Sequence, residues 1–142
     1  MKDELENLEA GFGASEKQKK SYKLVKYCVK TGKQLRMILS GAGGTGKTQL
    51  IKAVVRLAKL VYGRQRGKYG PVVVVAPSGS AAANAGGYTH QHVLGINHHS
   101  NHNSSISQEA VSALQKSLEG VRIIILGEEK KRDITMKAQL VT

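Results

Sequence analysis

Apolar residues recur along this chain with two periods, and each change of period marks an element. Tyr22, Val25, Cys28 and Val29 fall on one helical stripe; Ser15 is placed to cap the start of a helix over residues 16–30, and Gly32 its end. Residues 35–39 then read as a short apolar strand. Leu50, Ile51, Val54, Val55, Ala58 and Val61 return to helical spacing. After Pro71, the run Val72-Val73-Val74-Val75-Ala76 offers no polar position to water, as expected of a strand buried on both faces of a parallel sheet. Residues 77–87 turn into a short helix of small side chains. Residues 88–105, rich in Gly, Asn, Ser and His, read as loop. Ser107 caps a further helix with the stripe Val111, Leu114 and Leu118, closed by Gly120, and residues 121–126 form a second buried strand. The charged tail from Lys130 reads as a helix and residues 1–14 as a loose leader.

This alternation predicts an α/β fold with a mainly parallel sheet and right-handed crossovers, whose ligands lie at the carboxyl ends of the strands. The stretch joining the first strand to its helix carries the clearest chemistry. Gly41-Ala42-Gly43-Gly44-Thr45-Gly46-Lys47-Thr48 fits G-x-x-x-x-G-K-[ST] at every fixed position. Its glycines let the backbone approach a polyphosphate closely, with N–H groups gathered at the positive end of a helix. Lys47 is placed to meet the β- and γ-phosphates and Thr48 to offer its hydroxyl to Mg²⁺. A glycine-rich turn that binds nothing is the bland alternative, and the correct strand and helix flanks argue against it. The expected ligand is a nucleoside triphosphate.

The 142 residues suffice for one domain with its own core. The single cysteine, Cys28, can form no internal disulfide, which fits a reducing compartment, cytosolic or nuclear. No apolar run reaches membrane-spanning length, and the acidic first ten residues do not resemble a targeting presequence. The net charge of +12 is unevenly spread: residues 17–68 hold fifteen Lys or Arg and no acid, whereas residues 69–108 hold no charged side chain of either sign. An unmixed basic half points to a polyanion, nucleic acid first, an acidic protein or membrane surface second. With 4% aromatics, contacts mainly to phosphates are expected, with few stacking platforms. His90, His92, His98, His99 and His102 raise a zinc reading, but no cysteine lies near them and a solvated polar loop accounts for them better.

Four stretches together resemble the first half of Pif1-type DNA helicases, the family also fused in Helitron transposons. Residues 15–22 (Ser-Glu-Lys-Gln-Lys-Lys-Ser-Tyr) resemble its Q motif, residues 41–48 its motif I, residues 76–84 with Gly86-Gly87-Tyr88-Thr89 its motif Ia, and residues 118–126 the run into motif II. The similarity covers roughly residues 15–140. It implies an N-terminal RecA-like ATPase domain over residues 15–142, a P-loop NTPase three-layer sandwich left incomplete, preceded by a flexible leader. It further implies ATP and Mg²⁺ as cofactors and single-stranded DNA as partner. Unwinding would run 5′ to 3′, in DNA repair, recombination or telomere maintenance and in the nucleus. By the same resemblance Gln18 recognises adenine, Lys47 and Glu128 serve catalysis, and Pro77, Ser78, Gly79, Thr89 and His90 contact the single strand.

Two departures qualify that picture. The family's motif II strand ends in Asp-Glu; here Gly127 stands at the Asp position, Glu128 alone remains, and Glu129-Lys130 replace the Ser-Met that follows. A glycine offers the metal no ligand. The chain also stops at Thr142, before motifs III to VI and the arginine that stabilises transition-state charge. A non-catalytic nucleotide- and nucleic-acid-binding relic is therefore an alternative, and a small P-loop kinase, for which no acceptor site or lid is evident, a weaker one.

Overall fold

A computed structural model of the protein describes residues 2–12, 15–39, 46–64, 67–95, 107–130 and 133–140, the last eight and residues 128–130 as backbone. The elements are α1 (Lys2–Ala10), α2 (Glu16–Thr31), β1 (Arg36–Leu39), α3 (Lys47–Tyr62), β2 (Val72–Ala76), α4 (Gly79–Ala85), β3 (Tyr88–Thr89), α5 (His90–Leu94), α6 (Gln108–Ser117), β4 (Ile123–Lys130) and β5 (Asp133–Leu140).

The strands form one sheet in the order β1-β5-β4-β2-β3. Strand β2 pairs in parallel with β4, as the two buried apolar runs called for, and with the short terminal strand β3. Strand β5 runs antiparallel to both β4 and β1. Four strands therefore point one way and only β5 opposes them.

The tail is thus a strand, contrary to the expected helix, and β4 does not stop at residue 126 but continues to Lys130, paired with Asp133. The reason is legible afterwards: Ile134, Met136, Ala138 and Leu140 alternate with Thr135, Lys137 and Gln139. That period of two outweighs the tail's charge. The sheet is thus parallel through β4, β2 and β3 and antiparallel where β5 lies between β4 and β1.

Two apolar clusters sandwich the centre. On one face Val72, Val74, Ile123 and Ile125 pack with Tyr22, Val25, Leu50, Val54 and Leu57 from α2 and α3. On the other, Val73 and Val75 pack with Val93 of α5, Val121 and the half-buried Leu118 beyond α6. That second face is only partly covered: a groove of about 560 Å³, lined by Ile38, Val73, Val75, Leu94 and Leu126 among others, lies open along it. The expected third layer is therefore incomplete among the described residues. Helix α6 keeps its predicted phase, with Ser107 Oγ accepting from Ala110 N at 3.2 Å, but none of its residues is fully buried.

The leader is corrected too. Helix α1 lies on the basic surface, with Glu9 3.2 Å from both Lys23 and Lys26 and Glu4 2.6 Å from Arg56. Glu9's own partial burial opposes its charge, but hydrogen bonds from Lys26 and Lys23 outweigh this and hold its carboxyl below the usual value. Such surface pairs contribute about 0–1 kcal/mol each. The anchor is Phe12, buried against Tyr22 with ring centroids 5.3 Å apart. Burial, with Glu9 nearby, pushes the Tyr22 phenol up to about 12.

The stretch expected as loop from residue 88 begins with β3 and α5. Thr89 Oγ1 accepts from His92 N at 3.3 Å and starts that short helix; residues 96–105 lie outside the described residues. Gly87 is needed where β3 joins β2, because a Cβ there would run into the Val74 carbonyl.

Candidate functional site

Gly41, Ala42, Gly43, Gly44 and Thr45 lie outside the described residues, so the phosphate loop is described from Gly46 on. Gly46 opens α3 with φ of 79°, a left-handed conformation that side chains disfavour. Its carbonyl accepts from Gln49 N at 3.1 Å and Leu50 N at 3.2 Å, closing the first turn. Lys47 is the first residue of α3 and only 6% exposed. No acidic residue occupies that first turn, so a cation sits where the helix dipole favours anions. An anionic ligand at the helix start would suit that placement.

Gln18 comes to the same point from α2. Its side-chain amide lies against Gly46 so closely that a Cβ on residue 46 would collide with the amide nitrogen. The residue singled out for adenine is thus half-buried beside Gly46, a neighbourhood that spacing alone could not establish.

Thr48, the second residue of α3, lines a cavity of about 180 Å³ together with Ala76, Pro77, Ala81, Asn84 and Gly127. The hydroxyl proposed for the metal and the position lacking its carboxylate therefore share one space. A Cβ at residue 127 would meet only the Val75 carbonyl at 3.5 Å and Ala76 at 3.9 Å, ordinary contact distances. The aspartate is missing, but its room is not. Glu128, expected just past the strand's carboxyl end, instead lies within β4, paired with Thr135 and just beyond the last β2–β4 pair, Val75 and Leu126.

The residues expected on DNA split into two groups. Pro77 borders the 180 Å³ cavity, and Ser78 caps α4, its Oγ accepting from Ala81 N at 3.3 Å, with Gly79 exposed as the first helical residue. Thr89 caps α5 and His90 begins it, lining the groove on the opposite sheet face. Both hydroxyls thus do the capping work of ordinary turns. His98, His99 and His102 lie outside the described residues, and no group of three potential metal ligands occurs among the described residues.

Sequence reasoning missed an aromatic cluster. Tyr69 meets Tyr88 edge-on at 5.0 Å between centroids, and Tyr88 stacks on His92 at 5.1 Å with 11° between planes. Lys68 Nζ lies 5.3 Å from the Tyr69 ring centroid and 3.3 Å from His92 Nε2. Nineteen residues separate the tyrosines, and no periodicity links them. The scarce aromatics are concentrated, which composition could not convey.

No helix among the described residues is long and apolar enough to cross a membrane. Neither the curated proteins nor the solved structures contain a match to the chain. The family model for PIF1-like helicases matches residues 14–138, a span that takes in Gln18, the phosphate loop, the α4 and α5 caps and Gly127. The chain belongs to the PIF1-like helicase family.

Proposed function

We propose that residues 15–142 form the RecA-like, nucleotide-binding domain of an ATP-dependent 5′–3′ DNA helicase, with a P-loop NTPase fold. The observation that carries this is the convergence of Gln18, Gly46 and Lys47 at the start of α3, next to the cavity of Thr48 and Gly127. ATP would set its adenine towards Gln18 and its phosphates over the phosphate loop and Lys47. Mg²⁺ suits this setting in part. It keeps several waters and needs few protein ligands when phosphates supply others, so Thr48 can hold it, while Gly127 adds nothing. Bound there, Mg²⁺ supplies charge neutralisation to the phosphates. Glu128 is assigned to orienting water, and Pro77, Ser78, Gly79, Thr89 and His90 to the single strand at the carboxyl ends of β2 and β3. Nuclear work in repair, recombination or telomere maintenance belongs to the same reading and rests on the family alone.

Gly127 favours a second reading, in which the domain binds nucleotide and DNA without efficient hydrolysis. The metal role of residue 127, on which the two readings differ, is tested through Gly127→Asp, whose Cβ would meet only ordinary contacts. In that variant MgATP affinity should rise about tenfold over that of metal-free ATP, relative to the parent's own ratio. That is the worth of one charge-assisted hydrogen bond, roughly 1.5 kcal/mol. An unchanged metal dependence in calorimetry would remove residue 127 from the metal site.

The DNA assignment is tested by titrating single-stranded oligonucleotides at several salt concentrations. Log affinity should fall linearly with log salt, by about 0.7 for each phosphate neutralised. A flat plot would overturn the nucleic-acid partner.

A further inference from the structure

The chain has five tyrosines, one phenylalanine and no tryptophan, so any flat aromatic surface it presents to a ligand must come from few residues. Phe12 and Tyr22 are spent in the core. Tyr69 and Tyr88 instead meet at the sheet's outer edge, where Tyr88 belongs to the terminal strand β3 and remains 40% exposed. His92, stacked on it from the first turns of α5, is exposed as well. A cluster serving only the core would be expected to bury these rings.

Lys68 completes the group. It reaches over Tyr69 and contacts His92, donating to Nε2 when that nitrogen carries no proton. No ion pair within 4 Å engages Lys68 among the described residues; Glu119 borders it across a shallow hollow shared with Lys116. Residues 69–108, which carry Tyr69, Tyr88 and His92, contain no acid. Thr89 and His90, the next residues after Tyr88, cap and begin α5, so the stack is anchored to a helix start already assigned to the strand.

We propose that Tyr88, His92 and Tyr69, with Lys68 at their side, form a stacking platform for an unpaired base of single-stranded nucleic acid. The inference rests on the DNA-binding reading and adds to it a contact to bases where only phosphate contacts were assigned. A base lies flat on the exposed Tyr88–His92 surface, and Lys68 neutralises an adjoining phosphate. Any base has a π-face, so the contact adds affinity without reading sequence. Tyr69, packed edge-on, holds Tyr88 at its angle and is a positioning residue.

The test is fluorescence anisotropy on the full chain with a labelled oligo-dT and the same oligonucleotide carrying abasic sites. Tyr88→Ala should bind oligo-dT about five- to a hundredfold more weakly with an unchanged salt slope, because stacking releases no counterions. Tyr88→Phe should bind as the parent does. Lys68→Ala should instead shallow the slope by about 0.7. The parent should prefer oligo-dT to the abasic strand, and Tyr88→Ala should lose that preference, which a purely structural role would not alter. Tyr88→Leu, which keeps apolar bulk at the sheet edge, serves if the alanine variant unfolds. Equal discrimination by parent and folded variant overturns the platform while leaving the DNA reading intact. Absence of any single-strand binding by the parent overturns both.

Discussion

Lys47→Ala is expected to abolish measurable MgATP binding and, at the same time, to leave the protein folded. The two halves have separate causes. Lys47 is 6% exposed, so its ammonium acts in a setting little screened by water. Truncating one member of such a charge contact costs about 2–5 kcal/mol, at least roughly 30-fold in affinity. In the free protein, however, the same charge sits at the positive end of α3 with no acid in the first turn. Removing a cation from a helix N-terminus is worth about 0.3–1 kcal/mol in the stabilising direction. Calorimetry and a thermal melt on one preparation check both halves. Retained binding would remove Lys47 from the phosphate site; a collapsed melting temperature would show that it is a structural residue.

Gly46→Ala should reduce nucleotide affinity nearly as far, by a route that leaves every ligand-facing group in the sequence. At φ of 79° a side chain costs roughly 1–2 kcal/mol, and here the new methyl would also occupy the place of the Gln18 amide. The variant must therefore either open the first turn of α3 or push α2's glutamine away. Gln18→Ala makes room for the methyl, so the double variant should be less impaired than the sum of the singles. Interaction energies of about 0.5–3 kcal/mol are usual for residues in contact. Strict additivity in the cycle would mean that Gln18 and Gly46 act independently.

Much of this was legible in the sequence for definite physical reasons. The stripe of Tyr22, Val25, Cys28 and Val29 predicted the buried face of α2, and the unbroken valines predicted a strand covered on both sides, because burial imposes those patterns directly. The caps Ser78, Thr89 and Ser107 act locally, yet only Ser107 was recognised as one, since motif resemblance drew the other two towards DNA. What escaped depends on distant partners. Helix α1 is ordered by Phe12 on Tyr22 and by cations of α2 and α3, none of which its own polar composition discloses. The tail is a strand because a partner stands on either side of it, and there its alternation outweighs its charge. For the site, the motif named its residues, but only three-dimensional proximity joins Gln18 to Gly46, Thr48 to Gly127, and Tyr69 to Tyr88.

The position of β5 also bears on how the domain comes into being. Strand β1, which leads into the G-x-x-x-x-G-K-[ST] stretch, is terminal in the sheet and among the described residues pairs only with β5, Arg36 opposite Gln139 and Leu39 opposite Met136. During synthesis β1 leaves the ribosome well before β5, its sheet partner among the described residues. Helices α2 and α3 can associate through local contacts long before that. The final insertion of β5 between β1 and β4 is a long loop closure, which makes such steps slow. The strand that leads into the G-x-x-x-x-G-K-[ST] stretch thus waits for β5, and whatever that stretch holds cannot be fixed in place ahead of that strand.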